Sequence, residues 1–355
     1  MADKRIILLV DMDYFYAACE ELRRDGIRGK PVIVGADPKN GKGRGVVMTC
    51  NYEARKYGIR SAMPISIAYR VKPDAIFLPM DYPYYEEMSN KVMLVLKEFA
   101  DGFEQVSIDE AYLDISSKVS SFDDAAKYAK TIKDDVKNRA GLPCSIGVSF
   151  NKLLAKMASD AAKPNGVKVI TEKDVHAFLD NMPVGKLYSV GEKTAERLES
   201  KGYSTIGELS KANKMALMAE FGSVGLELYN YANGIDESPL LQVAPAKSIG
   251  REMTFETDTL DRAEIENGIG RLSKEVAAEV KKAGFVFRTI TIKLRYSDFS
   301  EKLKSRSIKP SSDFKELYDT SVRLYLDNVE KNRKLRKIGV RVSGLIQYGK
   351  QSRLG

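Results

Sequence analysis

The chain has 355 residues, a length that suits roughly two to four domains with ample hydrophobic core. Its formal charge of +8 is unevenly placed, because residues 245–355 hold 24 Lys+Arg against 15 Asp+Glu and the remainder holds 33 against 34. A basic C-terminal part on a nearly neutral body predicts a polyanionic partner. The single histidine excludes His-based triads and multi-histidine metal sites. Three scattered cysteines and the lack of a long apolar run predict a soluble protein in a reducing, cytoplasmic compartment.

The first predicted element is a buried strand with an acidic end. Ile6 to Val10 form a continuous apolar run, which Asp11-Met12-Asp13 and the aromatic cluster Tyr14-Phe15-Tyr16 follow. Because an unpaired buried charge is costly, an aspartate at the end of such a strand indicates function more than packing.

A glycine-rich turn comes next, at residues 40–45 (NGKGRG). It lacks the spacing of a phosphate-binding loop, so it predicts a hairpin turn. The strand Val46 to Cys50 follows, and a helix starts near Asn51. Tyr52 and Arg55, three residues apart, share one face of that helix.

A second acidic element occupies residues 103–115 (FEQVSIDEAYLDI). Apolar runs around a short polar centre predict a β-hairpin whose turn carries Asp109-Glu110, with Asp114 on the far strand. Adjacent carboxylates repel, so they need protonation, solvation or a bound cation. On these residues alone, a solvated turn without a bound cation is an open alternative. Together with Asp11, however, they predict three carboxylates around divalent cations, and such hard oxygen ligands suit Mg²⁺.

The flanking segments predict the frame for this hairpin. Helices over 84–100 and 123–140 and a strand over 145–149 resemble, with the first strand, a ferredoxin-like βαββαβ sheet. A helix over 152–162 follows and stops at Lys163-Pro164-Asn165-Gly166.

The last part of the chain differs in pattern. Residues 171–234 predict short helices, and residues 237–246, with two prolines and few charges, indicate a linker. A sheet covered by helices on one face is then predicted from strands over 286–299, 305–308 and 337–345 and helices over 262–283 and 313–326. Its uncovered basic face can follow nucleic-acid phosphates irrespective of sequence.

Three motifs, VDMDYFYA (10–17), NYEAR (51–55) and SIDEAYLD (107–114), resemble those of the Y-family (translesion) DNA polymerases, in the DNA polymerase IV branch. The similarity covers nearly the whole chain. It implies an α+β multidomain right-hand polymerase with a ferredoxin-like palm, small fingers, a helical thumb and a C-terminal α/β little-finger domain. The implied boundaries are 1–16 and 76–170 for the palm, 17–75 for the fingers, 171–234 for a thumb with a helix-hairpin-helix, 235–246 for a linker, 247–345 for the little finger and 346–355 for a tail.

The resemblance implies template-directed addition of deoxynucleotides to a primer 3′-hydroxyl, with low fidelity and no proofreading exonuclease, in DNA repair and replication. Asp11 and Asp109 would bridge two Mg²⁺ ions, which Mn²⁺ can replace. Glu110 would bind the ion at the hydroxyl, and the Met12 carbonyl the ion at the nucleotide. Two cations ~3.5–4 Å apart lower the pKa of the hydroxyl and stabilise the leaving pyrophosphate.

Further roles are implied around this centre. The nucleotide-binding residues would be Tyr14, Phe15, Tyr16, Thr49, Tyr52, Arg55 and Lys163. Tyr16 matches the family's steric gate against a ribose 2′-hydroxyl. The wall over the nascent base pair would consist of Ala36, Val46 and Met48. Family members often carry smaller residues at the last two positions, which predicts a tighter roof here, whereas the small Ala36 in the same wall acts in the opposite direction.

The implied partners are primer-template DNA, deoxynucleoside triphosphates and a sliding clamp, with the protein as a monomer and no membrane. The DNA-binding residues would be Ser189, Val190, Gly191, Lys193, Lys247, Arg251, Arg288, Lys293, Arg295, Lys304, Arg306, Arg336 and Arg341. Ser189 replaces the first glycine of the hairpin loop. Gln351 and Leu354 match the start of a clamp-binding peptide whose aromatic pair is lacking, so clamp binding is expected to be weak.

Two other functions use similar elements. A nucleotidyl cyclase can combine the same sheet with acidic turns and the same metals, but it needs neither a basic C-terminal domain nor a hairpin-helix thumb. An RNA-recognition module shares the topology but needs an aromatic-rich strand where this chain carries carboxylates. The polymerase accounts for all the motifs together.

Overall fold

The protein is described from a computed structural model, which covers residues 5–241 and 246–347. The chain divides into two compact units, Met1–Val243 and Ala244–Gly355. Within the described residues, no helix combines the length and the apolar character needed to cross a membrane.

The first unit contains two sheets and a series of helices. Its strands are β1 (Ile7–Met12), β2 (Val32–Gly35), β3 (Val47–Cys50), β4 (Ile76–Leu78), β5 (Gly102–Gln105), β6 (Glu110–Asp114), β7 (Cys144–Ser149) and β8 (Val167–Val169). Its helices are α1 (Phe15–Arg23), α2 (Tyr52–Arg55), α3 (Ile65–Val71), α4 (Tyr82–Lys97), α5 (Phe122–Ala140), α6 (Lys152–Ala162), α7 (Val175–Leu179), α8 (Glu192–Glu199), α9 (Ile206–Ser210), α10 (Lys214–Phe221) and α11 (Ser223–Ala232).

The larger sheet of this unit has the strand order β5-β6-β1-β7-β8. Its first four strands are antiparallel neighbours in the order of a ferredoxin-like βαββαβ unit, as the sequence predicts. Strand β1 is buried on both faces. Leu8 and Val10 face the core beneath α4 and α5, whereas Ile7 and Leu9 pack with Ala155 of α6. Asp11 continues this second row and therefore lies on the α6 side.

Helix α6 lies unusually close to the sheet. A Cβ atom at Gly147 of β7 would lie 2.0 Å from the carbonyl oxygen of Ala155, so only glycine fits there. Asn151 caps the helix by accepting a hydrogen bond from the backbone of Leu154 at 2.9 Å. The helix ends at Lys163, as the sequence predicts.

The smaller sheet has the order β3-β2-β4. Strands β2 and β3 are antiparallel, so the glycine-rich segment between them joins a hairpin, as expected. Asn51 caps α2 by accepting from Ala54, and it also accepts from the backbone of Val32. This shared cap fixes the direction in which Tyr52 and Arg55 leave the sheet.

The second unit is a sheet with two helices on one face. Its elements are β9 (Ser248–Thr259), α12 (Arg262–Lys282), β10 (Phe285–Tyr296), β11 (Glu301–Ser311), α13 (Phe314–Asn328), β12 (Leu335–Ser343) and β13 (Ile346–Gln347). The strand order is β11-β10-β12-β9, with β13 paired to β10. The core forms where Ile292, Val340 and Ile338 meet Ile269 and Val276 of α12.

Candidate active site

The predicted carboxylates meet at one end of the larger sheet. Asp11, the last residue but one of β1, is the direct cross-strand partner of Glu110, the first residue of β6. The backbone N–H of Met12 donates to the carbonyl of Asp109 at 2.9 Å. All four residues line a cavity of about 220 Å³. The hairpin turn therefore brings together residues that are about a hundred positions apart.

The same cavity collects every residue that the sequence analysis assigned to nucleotide binding. In addition to the carboxylates and Met12 it is lined by Tyr14, Phe15, Tyr16, Met48, Thr49, Tyr52, Arg55, Ser61 and Lys163. Ser61 was not predicted, because no motif surrounds it.

Two ammonium groups reach the carboxylates from α6 and its end. Lys156 Nζ donates to Asp11 Oδ2 at 3.0 Å and makes a still closer contact with Glu110 Oε1. Lys163 Nζ donates to the same oxygen of Asp11 at 2.7 Å. Asp160 accepts from both lysines, at 3.3 and 3.0 Å. Asp11 is thus shared between two cationic side chains.

Burial and these contacts set the protonation of the pair. Burial raises the pKa of Glu110 to about 7, and the hydrogen bond with Asp11 acts in the same direction. Burial also tends to raise the pKa of Asp11, but the hydrogen bond with Glu110 and the charges of Lys156 and Lys163 outweigh it and lower the pKa. Of the two carboxyl groups, Glu110 therefore takes up a proton more readily than Asp11.

The donor atoms are of the kind that a hard divalent cation prefers, although their side chains are not gathered around one point in this structure. Asp11, Asp109 and Glu110 contribute only oxygen donors to one cavity, and the backbone carbonyl of Met12 lies at the same strand end. In residues 5–241 and 246–347, no three His, Cys, Asp or Glu side chains form a group that could hold a metal ion. The oxygens of Asp11 and Glu110 are instead engaged by ammonium groups.

A buried aspartate connects the two sides of the cavity. Asp13 is 1% exposed, and its carboxylate accepts from Tyr52 Oη at 3.2 Å and from Ser145 Oγ at 3.0 Å. It also accepts from the backbone N–H of Asn165 at 2.7 Å. Asp13 thereby holds the tyrosine of α2 and the turn that follows Lys163, a structural role that the sequence left open.

Asp114 lies at the other end of β6 and stabilises the turn that follows this strand. Its carboxylate accepts from the backbone N–H of Ser116 at 3.0 Å. Asp114 is therefore a structural residue of the hairpin.

Aromatic rings form the wall on the α1 side. The ring of Tyr16 lies 4.7 Å from the ring of Tyr85 and 6.3 Å from that of Tyr82. Tyr14 meets Tyr52 edge to face at 5.2 Å, and the guanidinium of Arg55 lies 4.8 Å over the Tyr52 ring. Burial, with the nearby Glu21 carboxylate, raises the pKa of Tyr14 to about 12. The phenol of Tyr14 therefore stays a neutral hydrogen-bonding group at physiological pH.

The three residues expected in the base-pair wall lie on or beside the β2–β3 hairpin. Val46 and Met48 are exposed, Ala36 packs against the core of the smaller sheet, and of the three only Met48 lines the described cavity. Met48 is thus exposed next to Thr49, and its role in a roof over the nascent base pair stays a prediction.

Comparisons with known proteins cover almost all of this architecture. Residues 10–160 match the impB/mucB/samB family, residues 246–354 match the C-terminal domain of that family, and residues 185–236 match the thumb domain of DNA polymerase-iota. DNA polymerase IV 2 of Methanosarcina mazei is 44% identical over 97% of this chain and 93% of its own length. DNA polymerase IV of Streptococcus suis is 41% identical over 96% of each chain.

Solved structures of DNA polymerases resemble the chain as well. A Y-family DNA polymerase chimera of Dbh and Dpo4 is 31% identical and superposes with a TM-score of 0.88, covering 96% of this chain and 99% of that chain. The insertion ternary complex of Dbh DNA polymerase is 32% identical over the same shares, with a TM-score of 0.69. The chain belongs to the Y family of DNA polymerases, in the DNA polymerase IV branch.

This membership confirms the family, the multidomain fold class and the enzyme class, a DNA-directed DNA polymerase, that the sequence predicts. The thumb and C-terminal matches also decide against the nucleotidyl cyclase and the RNA-recognition module, because neither function requires those two domains.

The basic residues of the polymerase's second unit do not share one face. Strand alternation and register place Lys293, Arg295 and Arg341 on the face away from the helices. Arg251 lies on the other side, where it pairs with Glu279 of α12 at 2.6 Å, and Lys304 and Arg306 follow that side along β11. Of the residues expected to bind DNA, Arg251, Lys304 and Arg306 therefore do not lie on the uncovered face, and their contact with DNA stays a prediction.

The uncovered face also carries acidic partners. Lys293 Nζ lies 3.2 Å from both Glu252 and Glu301, and Lys337 Nζ lies 3.0 Å from Glu252. Arg336 sits beside a break in the strand register and lies 4.6 Å over the Phe299 ring, and Arg288 flanks a second break, in β10. Lys247 precedes β9.

The expected hairpin loop of the thumb precedes α8, and Val190, Gly191 and Lys193 surround the helix start. Ser189 has a φ of 69°, the left-handed conformation that glycine adopts most easily. The serine therefore keeps a glycine-like backbone at this position. Gln351 and Leu354 lie outside the described residues.

Proposed function

We propose that this polymerase adds deoxynucleotides to a primer 3′-hydroxyl under the direction of a template strand, by two-metal catalysis and with low fidelity, in translesion synthesis. The observation that carries the proposal is the single cavity that joins Asp11, Asp109 and Glu110 to Tyr52, Arg55 and Lys163. Cation ligands on one side and phosphate ligands on the other are what phosphoryl transfer requires.

The carboxylates would hold two divalent cations, Mg²⁺ or Mn²⁺, with Asp11 and Asp109 as shared ligands and Glu110 and the Met12 carbonyl as further ones. When bound, such cations activate the attacking hydroxyl and neutralise charge on the leaving group.

The remaining side chains would bind and orient the nucleotide. Tyr52 and Arg55 would hold the triphosphate from the α2 side, and Lys163 would contact its β- and γ-phosphates, so that attack is in line. Tyr16, braced by Tyr85, would exclude a ribose 2′-hydroxyl. Tyr14, Phe15 and Thr49 would complete the pocket.

The assignment of domains is also a proposal: palm over 1–16 and 76–170, fingers over 17–75, thumb over 171–234 and little finger over 247–345. The basic residues of the thumb loop and the uncovered sheet face would contact DNA phosphates. The matched segments leave no domain-sized gap between them for a proofreading exonuclease, which supports low fidelity. The three described cysteines are free and buried, in keeping with a reducing, cytoplasmic location.

Primer extension tests the proposal. With Mg²⁺ and all four deoxynucleotides, the protein should extend a primer on an undamaged template and insert opposite an abasic site, with no shortening of the primer. Dependence on the template strand distinguishes this activity from any turnover of free nucleotides. Release of mononucleotides from the primer end, or an absolute stop before the abasic site, would contradict the proposed low-fidelity enzyme.

A further inference from the structure

Lys156 contacts two of the proposed cation ligands and was not identified by any motif. Its ammonium group lies between Asp11 and Glu110, within hydrogen-bond distance of both. Its side chain is only 16% exposed, and that of Asp11 only 5%. A charge so poorly hydrated interacts strongly with its neighbours.

We propose that Lys156 is a positioning residue that competes with the hydroxyl-side cation for the oxygens of Asp11 and Glu110. The inference rests on the proposed cation-binding role of those carboxylates. An ammonium group and a divalent cation cannot both occupy the space between the same oxygens, since like charges repel at contact distance. Lys156 therefore holds the two carboxylates together at rest and has to turn aside when the cation binds.

The surroundings of Lys156 provide a place for the displaced side chain. Asp160, one turn further along α6, already accepts from Lys156 at 3.3 Å, and its side chain is 51% exposed. Residues four apart on a helix are neighbours, so rotation of the lysine toward Asp160 keeps an ion pair. Lys163 contacts the same Asp11 oxygen as Lys156 and also pairs with Asp160, so the two lysines share one external acceptor.

Lys152 offers a matched control on the same helix. It lies one turn before Lys156 and pairs with Glu104 at 2.8 Å, with both side chains 14% exposed. The charge, the burial and the helix are alike, but Glu104 does not line the cavity. Any effect of removing a buried lysine from α6 as such will therefore appear in both variants.

The experiment measures binding of Mn²⁺ alone to the full-length protein, without DNA or nucleotide, by electron paramagnetic resonance. Lys156→Met should bind Mn²⁺ about tenfold tighter than wild type or more, because a like charge is removed from the cation's position. Lys152→Met and Lys156→Arg, which keeps the charge, should stay within about twofold of wild type. In thermal unfolding, Lys156→Met should be less stable than wild type in chelator and should gain more on addition of Mn²⁺.

Each other outcome counts against the inference. Unchanged or weaker Mn²⁺ binding by Lys156→Met overturns it, and so does equal tightening by Lys152→Met. Glu110→Ala distinguishes a failure of the proposed competition from a failure of the proposed cation site. If this variant binds Mn²⁺ more weakly while Lys156→Met does not bind it more tightly, only the competition is wrong. If Glu110→Ala and wild type bind alike, the proposed cation site is wrong as well. Should Lys156→Met fail to fold, Lys156→Gln, which is uncharged and polar, is measured with the same expected result.

Discussion

The cavity of the first unit and the sheet of the second unit both pair basic with acidic side chains, but the pairs differ in their exposure to solvent. Lys156, Glu110 and Asp11 are poorly hydrated, with side chains 16, 21 and 5% exposed. Arg251 and Glu279 of the second unit are 49 and 39% exposed. Exposed pairs contribute about 0–1 kcal/mol and are screened by salt, whereas a change to one member of a buried group is costly. Function should therefore depend on a few residues in the cavity and on the sum of many in the sheet.

The largest effect is expected at the acidic hairpin. Asp109→Ala or Glu110→Ala should lower nucleotide addition by about a thousandfold or more, the order of loss for removing a catalytic group. Affinity for primer-template should change little, because the proposed DNA contacts lie elsewhere. Single-turnover extension and a DNA-binding titration measure the two quantities. Asp114→Ala, in the same hairpin but bound to Ser116, is the control. Near wild-type extension by either catalytic variant would refute the assignment.

Removal of the second unit should act on DNA binding and leave the chemistry in place. Deletion of residues 245–355 removes a net charge of +9. Affinity for primer-template should fall by about ten- to a thousandfold, with a flatter dependence on salt, because fewer phosphates are neutralised. Products should also become shorter. Titrations at several salt concentrations measure the slope, and an unchanged affinity and slope would show that the sheet is not the main DNA contact.

Sugar selection should depend on one ring of the cavity. Tyr16→Ala removes the ring that packs against Tyr85, so a ribose 2′-hydroxyl should fit. Ribonucleotide incorporation should rise by at least about tenfold relative to deoxynucleotide incorporation, a change typical of a reshaped pocket. Competition between the two nucleotides measures the ratio, and Tyr16→Phe should retain the wild-type preference. Reduced stability of a still active variant, with an unchanged ratio, would mean that Tyr16 is only a core residue.

The buried carboxylate of Glu20 should make stability dependent on pH. Burial raises its pKa, but hydrogen bonds from Arg23, Arg24 and Tyr85 outweigh this and lower it. A lowered folded-state pKa gives stability that is present above about pH 4.5, the unfolded value, and is lost as the pH falls through the folded value. Glu20→Gln should cost about 1–3 kcal/mol at pH 7 and reduce the loss in acid.

Urea unfolding at pH 7 and pH 3.5 measures this change. The control is Glu98→Gln. In the wild type the surface carboxylate of Glu98 pairs with Arg139 at 2.7 Å, and its loss should change the free energy of unfolding much less. An equal pH dependence of Glu20→Gln and wild type would assign the acid sensitivity to other carboxylates.

The smallest effects should distinguish the two sides of the second sheet. Arg341→Ala, on the uncovered face, should reduce the salt slope of DNA binding by about one. Arg251→Ala, paired with Glu279 on the helix side, should leave the slope unchanged. Titrations of both variants over a series of salt concentrations provide the comparison. Equal slopes for the two variants would mean that strand face does not decide DNA contact.

The sequence sufficed to predict the acidic centre because its residues are adjacent in short motifs. Asp109-Glu110 lies in a hairpin turn, and strand alternation carries Asp11 to the same sheet end. Lys156 was missed for the opposite reason. On α6 it is one lysine among several, and its partners are 46 and 145 residues away, so only the closed fold shows its role.

The distribution of basic residues could not be predicted for another reason. A shift of one residue moves a strand's side chains to the other face, and the strands of the second unit contain register breaks. Strand alternation in β10 places Lys293 and Arg295 on the same face. It gave no information on whether Arg251 of β9 follows them.

Gly147 carries a consequence for the electrostatics of the cavity. A methyl group there would have to push α6 away by roughly an ångström, because contacts of 2.0 and 2.2 Å with its backbone cannot be relieved by a side-chain rotation. Lys156 and Lys163 would move outward together, while Asp11 and Glu110, which belong to strands of the sheet, and Asp109, in the turn before Glu110, would stay. The balance between positive and negative charge at the cavity is therefore adjustable by the height of one helix, and that height is set by a residue with neither a charge nor a side chain.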